Sequence, residues 1–137
     1  MTSSPDTPKP GLTVSVQGED LDQQGRGIAR WKGWVLTVPE LIPGEKASIQ
    51  LLQRQRRIWH GKKIKTLEPS VNARRPPCIL AHTCGGCTLQ HLSVDAQNHW
   101  KQEHLKATLQ RIGGIKVSAD PLISPEPESL GYRNRAL

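Results

Sequence analysis

The chain has 137 residues, and 19 Lys and Arg against 12 Asp and Glu give it a formal net charge of +7. Hydrophobic residues make up 35% of it, Phe is absent, and the mean hydropathy is -0.53, so a modest core is expected and a large apolar ligand pocket is not. No run of about 18 apolar residues occurs, so no segment is predicted to span a bilayer.

The first residues, 1–9, are rich in Ser, Thr and Pro and contain no apolar stretch. This composition predicts a disordered tail and not a signal or transit peptide. The three cysteines of the chain lie close together and no secretory signal precedes them. A reducing cytoplasm is therefore the expected location.

Residues 10–68 show the two-residue period of β-strands, which begins where Leu12, Val14 and Val16 alternate with polar residues. The pair Lys32-Gly33 is a two-residue connection typical of a hairpin. Further strands are predicted at 26–31, 34–38, 47–51 and 58–67. Five short strands without an intervening helix predict a small barrel of the OB kind.

The basic excess of the chain is concentrated in one segment. Between Arg54 and Arg75 there are eight Lys or Arg against a single acid, Glu68, and the remaining basic and acidic residues cancel. Clustered cations favour a polyanionic partner, because phosphate contacts release counterions. A solvated charged face is the alternative, and an acidic membrane is disfavoured because no amphipathic helix accompanies the segment.

Small OB barrels bind single-stranded nucleic acid through a basic groove and stacked aromatic rings. Trp59 lies among basic residues, and Trp31 and Trp34 flank the predicted hairpin turn, but a barrel without Phe also needs tryptophan for its core. The candidate RNA-binding residues of this segment are Arg54, Arg56, Arg57, Trp59, Lys62, Lys63 and Lys65.

All three cysteines, Cys78, Cys84 and Cys87, lie within ten positions. The intervening pair Gly85-Gly86 allows a tight turn that can point Cys84 and Cys87 at one ion. Soft thiolate ligands select zinc or an iron-sulfur cluster over hard cations. The segment therefore predicts a metal site.

Three interpretations of these cysteines compete. A redox pair or ordinary thiols are possible readings, although no βαβ pattern surrounds them. Zinc would need a fourth ligand, which His82 or His91 could supply, whereas a 4Fe-4S cubane needs four cysteines and the chain has three. The spacing alone leaves zinc and iron-sulfur open.

Residues 93–112 are predicted to form one helix. Ser93 is expected to cap its first turn, Asp95 to interact favourably with the helix dipole, and Gly113 to end the helix. Apolar residues fall on two nearly opposite faces, which predicts a helix packed between two partners. Residues 115–137 are expected to open a further domain, with a strand from about residue 130 that carries Arg133 and Arg135.

The motif Cys-x5-Cys-Gly-Gly-Cys-x-Leu-Gln-His-Leu at 78–92 is followed by a helix that carries Gln97 and Lys101, and by Gly-Tyr-Arg-Asn-Arg at 131–135. This arrangement resembles the RumA/TrmA family of S-adenosylmethionine-dependent RNA uracil-5-methyltransferases. It is most similar to members that modify 23S ribosomal RNA and carry a 4Fe-4S cluster. Upstream, Gly-x-Gly-Ile-Ala at 25–29 and Pro-Gly-Glu at 43–45 are similar to the TRAM domain of that family.

The resemblance implies an α+β fold in four parts after the tail. These are a five-stranded OB-like TRAM barrel (10–68), a linker and cysteine-rich cluster loop (69–92), one long helix (93–114) and the start of a truncated central RNA-binding domain (115–137). It also implies that Cys78, Cys84 and Cys87 supply three of four ligands to a 4Fe-4S cluster. The family's fourth cysteine lies beyond the last residue of this sequence. Arg133 and Arg135 are further candidate RNA contacts.

Methylation of uracil at C5 needs a nucleophile for C6, a methyl donor and a base. In the family a cysteine and a carboxylate do this in a Rossmann-like domain that binds S-adenosylmethionine, and this sequence contains no such pattern. The chain is therefore predicted to be the RNA-binding and cluster-bearing front part of a 23S rRNA methyltransferase. It is expected to be monomeric and inactive alone, and S-adenosylmethionine is expected only in the full-length parent. The competing hypothesis is a stand-alone RNA-binding protein with structural zinc.

Overall fold

The computed structural model describes residues 7–118 and 130–131. The chain forms two compact units, Met1–Ser93 and Val94–Leu137. The first unit contains five strands, β1 to β5 in chain order, at Thr13–Leu21, Gly27–Trp31, Trp34–Val38, Lys46–Gln55 and Ile58–Glu68. The second contains one helix, α1, at Val94–Gly113.

The five strands close into a barrel in the order β1-β2-β3-β5-β4, and β4 completes the ring by pairing with β1. Strands β3 and β5 run parallel, whereas the other neighbours are antiparallel. The predicted α+β fold with a small five-stranded OB-like barrel is confirmed. Strand β1 continues to Leu21 across an irregularity between Gly18 and Asp20.

The barrel core follows from the two-residue alternation of the strands. In β1, Val14 and Val16 are buried while the residues between them are exposed, because successive side chains point to opposite faces. The buried core consists of Val14, Val16, Ala29, Leu36, Val38, Leu41, Ala47, Ile49, Leu51 and Trp59. Trp31 and Trp34 are partly buried and pack against it.

Two tight turns lie at one end of the barrel. Lys32 and Gly33 have φ values of 47° and 82°, as the two-residue hairpin turn between β2 and β3 requires. In the turn between β4 and β5, Arg56 has a φ of 57°. Because Val35 pairs in parallel with Ile58, the turns that precede these residues lie side by side.

The loop between β3 and β4, residues 39–45, lies directly on the barrel wall. A Cβ atom added to Gly27 would lie 2.3 Å from the backbone oxygen of Leu41, and one added to Gly18 would lie 2.2 Å from that of Ile42. Neither contact leaves room for a side chain. These two glycines therefore let the loop approach β1 and β2 closely.

The carboxylate of Glu45, at the end of this loop, is buried and fully engaged. Its Oε2 atom accepts a hydrogen bond from the backbone N–H of Ile42 at 3.2 Å. Its Oε1 atom accepts hydrogen bonds from Lys63 Nζ at 2.9 Å and from Thr66 Oγ1 at 2.7 Å. One side chain thus joins the β3–β4 loop to β5.

Helix α1 begins and ends within one residue of the prediction. Asp95 in its first turn and Arg111 in its last complement the helix dipole, and the rings of Trp100 and His104 stack with centroids 5.1 Å apart. None of its residues is buried. Within the described ranges, no helix combines the length and apolar character that a membrane crossing requires. The predicted final strand, with Arg133 and Arg135, lies outside the described residues apart from 130–131.

Replacing Glu45 by Ala should lower the free energy of unfolding by about 2 kcal/mol, because the Ile42 N–H and the Thr66 hydroxyl lose their buried acceptor and Lys63 loses its partner. Urea denaturation measures this loss. The control is Glu68→Ala, which removes only an exposed ion pair with Lys46 and should change stability by less than about 0.5 kcal/mol. Equal effects of the two changes would contradict a structural role for Glu45.

Candidate nucleic-acid interface and cysteine loop

The hairpin formed by β4 and β5 carries most of the predicted RNA-binding side chains on its outer surface. Five of these basic residues are exposed: Arg54, Arg56, Arg57, Lys62 and Lys65. The strand geometry produces this because the inward positions of the hairpin are occupied by core residues such as Ile49 and Leu51. The hairpin therefore presents a basic outer surface, termed here the cationic hairpin.

Two predicted members of the interface lie elsewhere. Trp59 is only 5% exposed and belongs to the barrel core, so in this conformation its ring offers no free face to a base, and the RNA contact there stays a prediction that the burial does not support. Lys63 points inward along the same strand, where its Nζ donates to Glu45 Oε1 at 2.9 Å and to the Glu40 carbonyl at 3.0 Å. The ammonium group of Lys63 is therefore engaged by groups of the barrel itself.

Two other tryptophans lie beside the cationic hairpin. Trp31 and Trp34 are cross-strand partners on either side of the β2–β3 turn. The guanidinium carbon of Arg54 lies 5.6 Å from the ring centroid of Trp34, and Lys32 Nζ lies 5.1 Å from that of Trp31. In the sequence, these two tryptophans could be recognised as candidate base contacts because they flank the predicted hairpin turn.

The cysteine loop, residues 69–92, belongs to the same unit as the barrel and is closed at its base. Ala73 and Leu92 form an isolated antiparallel bridge, and the Arg74 N–H donates to the His91 carbonyl at 2.9 Å. Gln90 is buried, and its Oε1 atom accepts the backbone N–H of Cys78 at 3.2 Å. The two ends of the loop are thus tied together by backbone contacts and one amide side chain.

The cysteine loop also contacts the barrel. Gly25 has a φ of 77°, and a Cβ there would lie 2.7 Å from a methyl carbon of Thr88, so this turn must be glycine to fit beneath the loop. His82 Nδ1 donates to Glu40 Oε1 at 2.9 Å. A cavity of about 300 Å³ lies between loop and barrel, and Arg26 and Cys87 are among its lining residues.

Two side chains at this contact have shifted acidities. The hydrogen bond with His82 lowers the pKa of Glu40 below its ordinary value, although partial burial opposes that shift. Burial lowers the pKa of His91, and the nearby charge of Lys63 lowers it further, against the opposing charges of Glu40 and Glu45. The Nε2 atom of His91 is buried and has no hydrogen-bond partner among the described residues. The fold therefore favours neutral His91.

The thiols of Cys78, Cys84 and Cys87 are free and exposed. Among residues 7–118 and 130–131, no group of three or more His, Cys, Asp and Glu side chains has a geometry that could hold a metal ion. In this conformation the described side chains therefore do not form a three- or four-ligand site for a single metal ion. The three thiols are of the type that binds zinc or an iron-sulfur cluster.

The stability of the chain should fall as the pH is lowered from 7.5 to 5. The pKa of His91 is lower in the folded than in the unfolded chain. Below about pH 6.5 the unfolded state therefore binds a proton more readily than the folded state does, which favours unfolding. The change His91→Gln should flatten this dependence in urea denaturation, whereas His99→Gln, at an exposed position of α1, should not. Glu40 does not interfere, since its lowered pKa confines its effect to more acidic solutions. An unchanged slope in His91→Gln would contradict the assignment.

Comparison with protein-family models gave no match. Comparison with solved structures gave a conserved protein of Methanococcus maripaludis, 24% identical, covering 42% of this chain and 81% of that chain with a TM-score of 0.40.

Curated proteins gave stronger matches. An uncharacterized RNA methyltransferase of Parasynechococcus marenigrum is 52% identical over 130 residues, which are 95% of this chain and 28% of that protein. The 23S rRNA (uracil(1939)-C(5))-methyltransferases RlmD of Photorhabdus laumondii and Vibrio parahaemolyticus are 39% and 41% identical, over 90% and 89% of this chain. The chain spans 28% and 27% of the lengths of those two enzymes. It is therefore homologous to a part of the RNA methyltransferases that include these 23S rRNA enzymes, and the family resemblance of its motifs is confirmed.

Proposed function

We propose that this chain is the RNA-binding portion of an S-adenosylmethionine-dependent 23S rRNA (uracil-C5)-methyltransferase. The observation that carries the proposal is the cationic hairpin, on which five exposed basic side chains share the outer surface of an OB-like barrel. Relatives named as 23S rRNA methyltransferases support ribosomal RNA as the polyanion. The portion is proposed to act as a monomer in the cytoplasm.

The cationic hairpin suits binding that is insensitive to base sequence. Lys and Arg side chains that contact phosphates supply affinity and position the protein, but they do not distinguish bases. The target uracil is therefore proposed to be selected by other parts of the whole enzyme. Within the barrel, the internal pairing of Lys63 leaves Arg54, Arg56, Arg57, Lys62 and Lys65 as the proposed phosphate contacts.

Catalysis is proposed to reside in residues of the whole enzyme that this chain does not include. Each cysteine of the chain lies in the cysteine loop, which the family resemblance assigns to metal binding. The nucleophile, the base and the S-adenosylmethionine site are thus placed elsewhere. The proposed division is a barrel at 10–68, the cysteine loop at 69–92, the helix at 93–114 and the start of a central domain at 115–137, where Arg133 and Arg135 add RNA contacts.

The resemblance also supports a separate proposal, that Cys78, Cys84 and Cys87 contribute to a 4Fe-4S cluster with a fourth ligand from outside this chain. The three thiols are free, and nearly all of residues 78–88 are exposed, so the loop can adjust to an inorganic centre while breaking little packing. Structural zinc, with His82 or His91 as fourth ligand, is the alternative occupant.

Removing three cations from the cationic hairpin should weaken RNA binding and its dependence on salt. For Arg57→Ala, Lys62→Ala and Lys65→Ala combined, the slope of log K against log salt should become shallower by about 2, since each single-strand phosphate contact contributes about 0.7. Arg56 is left intact because its positive φ makes it part of the turn. Titration of a labelled ribosomal RNA fragment at several salt concentrations measures the slope.

The matched control removes the same charge from exposed positions of the second unit, with Lys101, Arg111 and Lys116 changed to Ala. Its slope should equal that of the unmodified chain. If the hairpin variant and the control lose affinity equally, binding depends on overall charge and the proposed interface is rejected.

Anaerobic reconstitution with iron and sulfide should give brown protein with broad visible absorbance, and Cys84→Ser should abolish the colour. Thr88→Ser, in the same loop, is the control that should retain it. Colourless protein that binds zinc in equal amount would instead support structural zinc. Colour retained in Cys84→Ser would show that the cysteine motif does not hold the iron.

A further inference from the structure

We propose that the barrel end formed by Trp31, Lys32, Trp34 and Arg54 is a stacking site for unpaired RNA bases. This surface is termed the tryptophan end. The inference rests on the proposed function, since it takes the partner to be RNA. It adds to that function the element that contacts bases and the structural class of RNA that the barrel prefers.

Trp31 and Trp34 lie directly opposite each other in β2 and β3, and such cross-strand partners have Cβ atoms about 5 Å apart on one face of the sheet. Both indoles therefore lie on the same face of the sheet and at the same end of the barrel. Two rings at one end offer stacking positions for more than one base.

The two rings have different surroundings on their inner and outer sides. On the inner side they pack against the barrel core and are only partly buried. On the outer side lie the cationic groups of Lys32 and Arg54, at 5.1 and 5.6 Å from the ring centroids. Both basic residues are exposed and have long, rotatable side chains. The outer ring faces are thus covered by groups that can move aside for a base.

The tryptophan end also carries positive charge. A nucleotide that stacks on an indole brings a phosphate with it, and Lys32 and Arg54 are placed to bind that phosphate when they leave the ring faces. Arg57 precedes Ile58 as Trp34 precedes Val35, and the parallel pairing of Val35 with Ile58 brings these two backbone positions to the same end of the barrel. The cationic hairpin therefore runs directly into the tryptophan end.

Stacking on a protein ring requires a base with a free face. In a duplex both faces of each base are covered by neighbouring base pairs, whereas loops, bulges and ends present free faces. Stacking of this kind tolerates any base sequence, as does the cationic hairpin. The tryptophan end consequently favours single-stranded RNA over duplex RNA of the same length.

The experiment compares Trp31→Leu and Trp34→Leu with the unmodified chain in binding a single-stranded oligouridylate and an RNA duplex of equal length. Leucine keeps an apolar group against the core but cannot stack. Each variant should bind the single strand roughly ten-fold more weakly, and the duplex with little change. Trp100→Leu, in α1, is the control and should bind both RNAs as the unmodified chain does.

A fluorescence measurement covers the case in which a leucine variant does not fold. In the Trp100→Phe protein the remaining indoles are Trp31, Trp34 and the buried Trp59. Oligouridylate should quench this fluorescence upon binding, because stacked bases contact the two indoles of the tryptophan end. Binding without quenching would overturn the inference.

Two negative results are distinguishable. If the unmodified chain binds no RNA, the proposed function fails together with this inference. If salt-dependent binding persists but single strands and duplexes bind equally, and the leucine variants match the unmodified chain, only the stacking site is overturned. In that case Trp31 and Trp34 do no more than close the core.

Discussion

The buried carboxylate of Glu45 is the constraint on which the arrangement of the first unit depends. A buried carboxylate is stable only when its oxygens are hydrogen-bonded and its charge is matched, and Glu45 meets both conditions with Ile42, Lys63 and Thr66. These partners come from the β3–β4 loop and from β5. The loop cannot leave the barrel wall without exposing the pair, which fixes the surface on which the cysteine loop rests.

From Glu45 a short series of contacts leads to the cysteine loop. Lys63 bonds both to Glu45 and to the carbonyl of Glu40, and the Glu40 carboxylate bonds to His82 of the cysteine loop. The contact with His82 is exposed and thus weak by itself. Backbone bonds at the base of the loop and the close fit of Thr88 on Gly25 add to it. The loop is therefore held on the barrel by its base and its flank, while its thiols remain at the surface.

Much of the barrel could be predicted from the sequence because strands and tight turns are determined by residues that are close together in the chain. Alternating apolar residues gave the strands, and Lys32-Gly33 gave a hairpin turn whose positive φ values the structure has. The burial of Trp59 and the internal ion pair of Lys63 could not be predicted, because both depend on which face of β5 points into the barrel. A Trp flanked by basic residues is compatible with a core or a surface position, and only the pairing of β5 with β3 and β4 decides between them.

The close approach of the β3–β4 loop to Gly18 and Gly27 could not be predicted either, because no short sequence pattern connects these residues. The motifs of the family resemblance included Gly27 and Glu45 but not Gly18, and they gave no physical reason for these residues. The reason is physical: two glycines make space for a loop, and the carboxylate at its end holds the loop there. For the cysteines, the metal site stays a prediction from their spacing, and among the described residues no group of three or more His, Cys, Asp and Glu side chains is placed to hold a single ion.

The strand directions place the two proposed functional regions at opposite ends of the barrel. Gly27 pairs with Val38 at the end where the cysteine loop docks, and Trp31 pairs with Trp34 at the other end. Five residues of extended strand separate the ends by roughly 13 Å. Because groups at that distance that share no partner act nearly independently, the proposed RNA contacts at the tryptophan end are expected not to depend on what the cysteine loop binds.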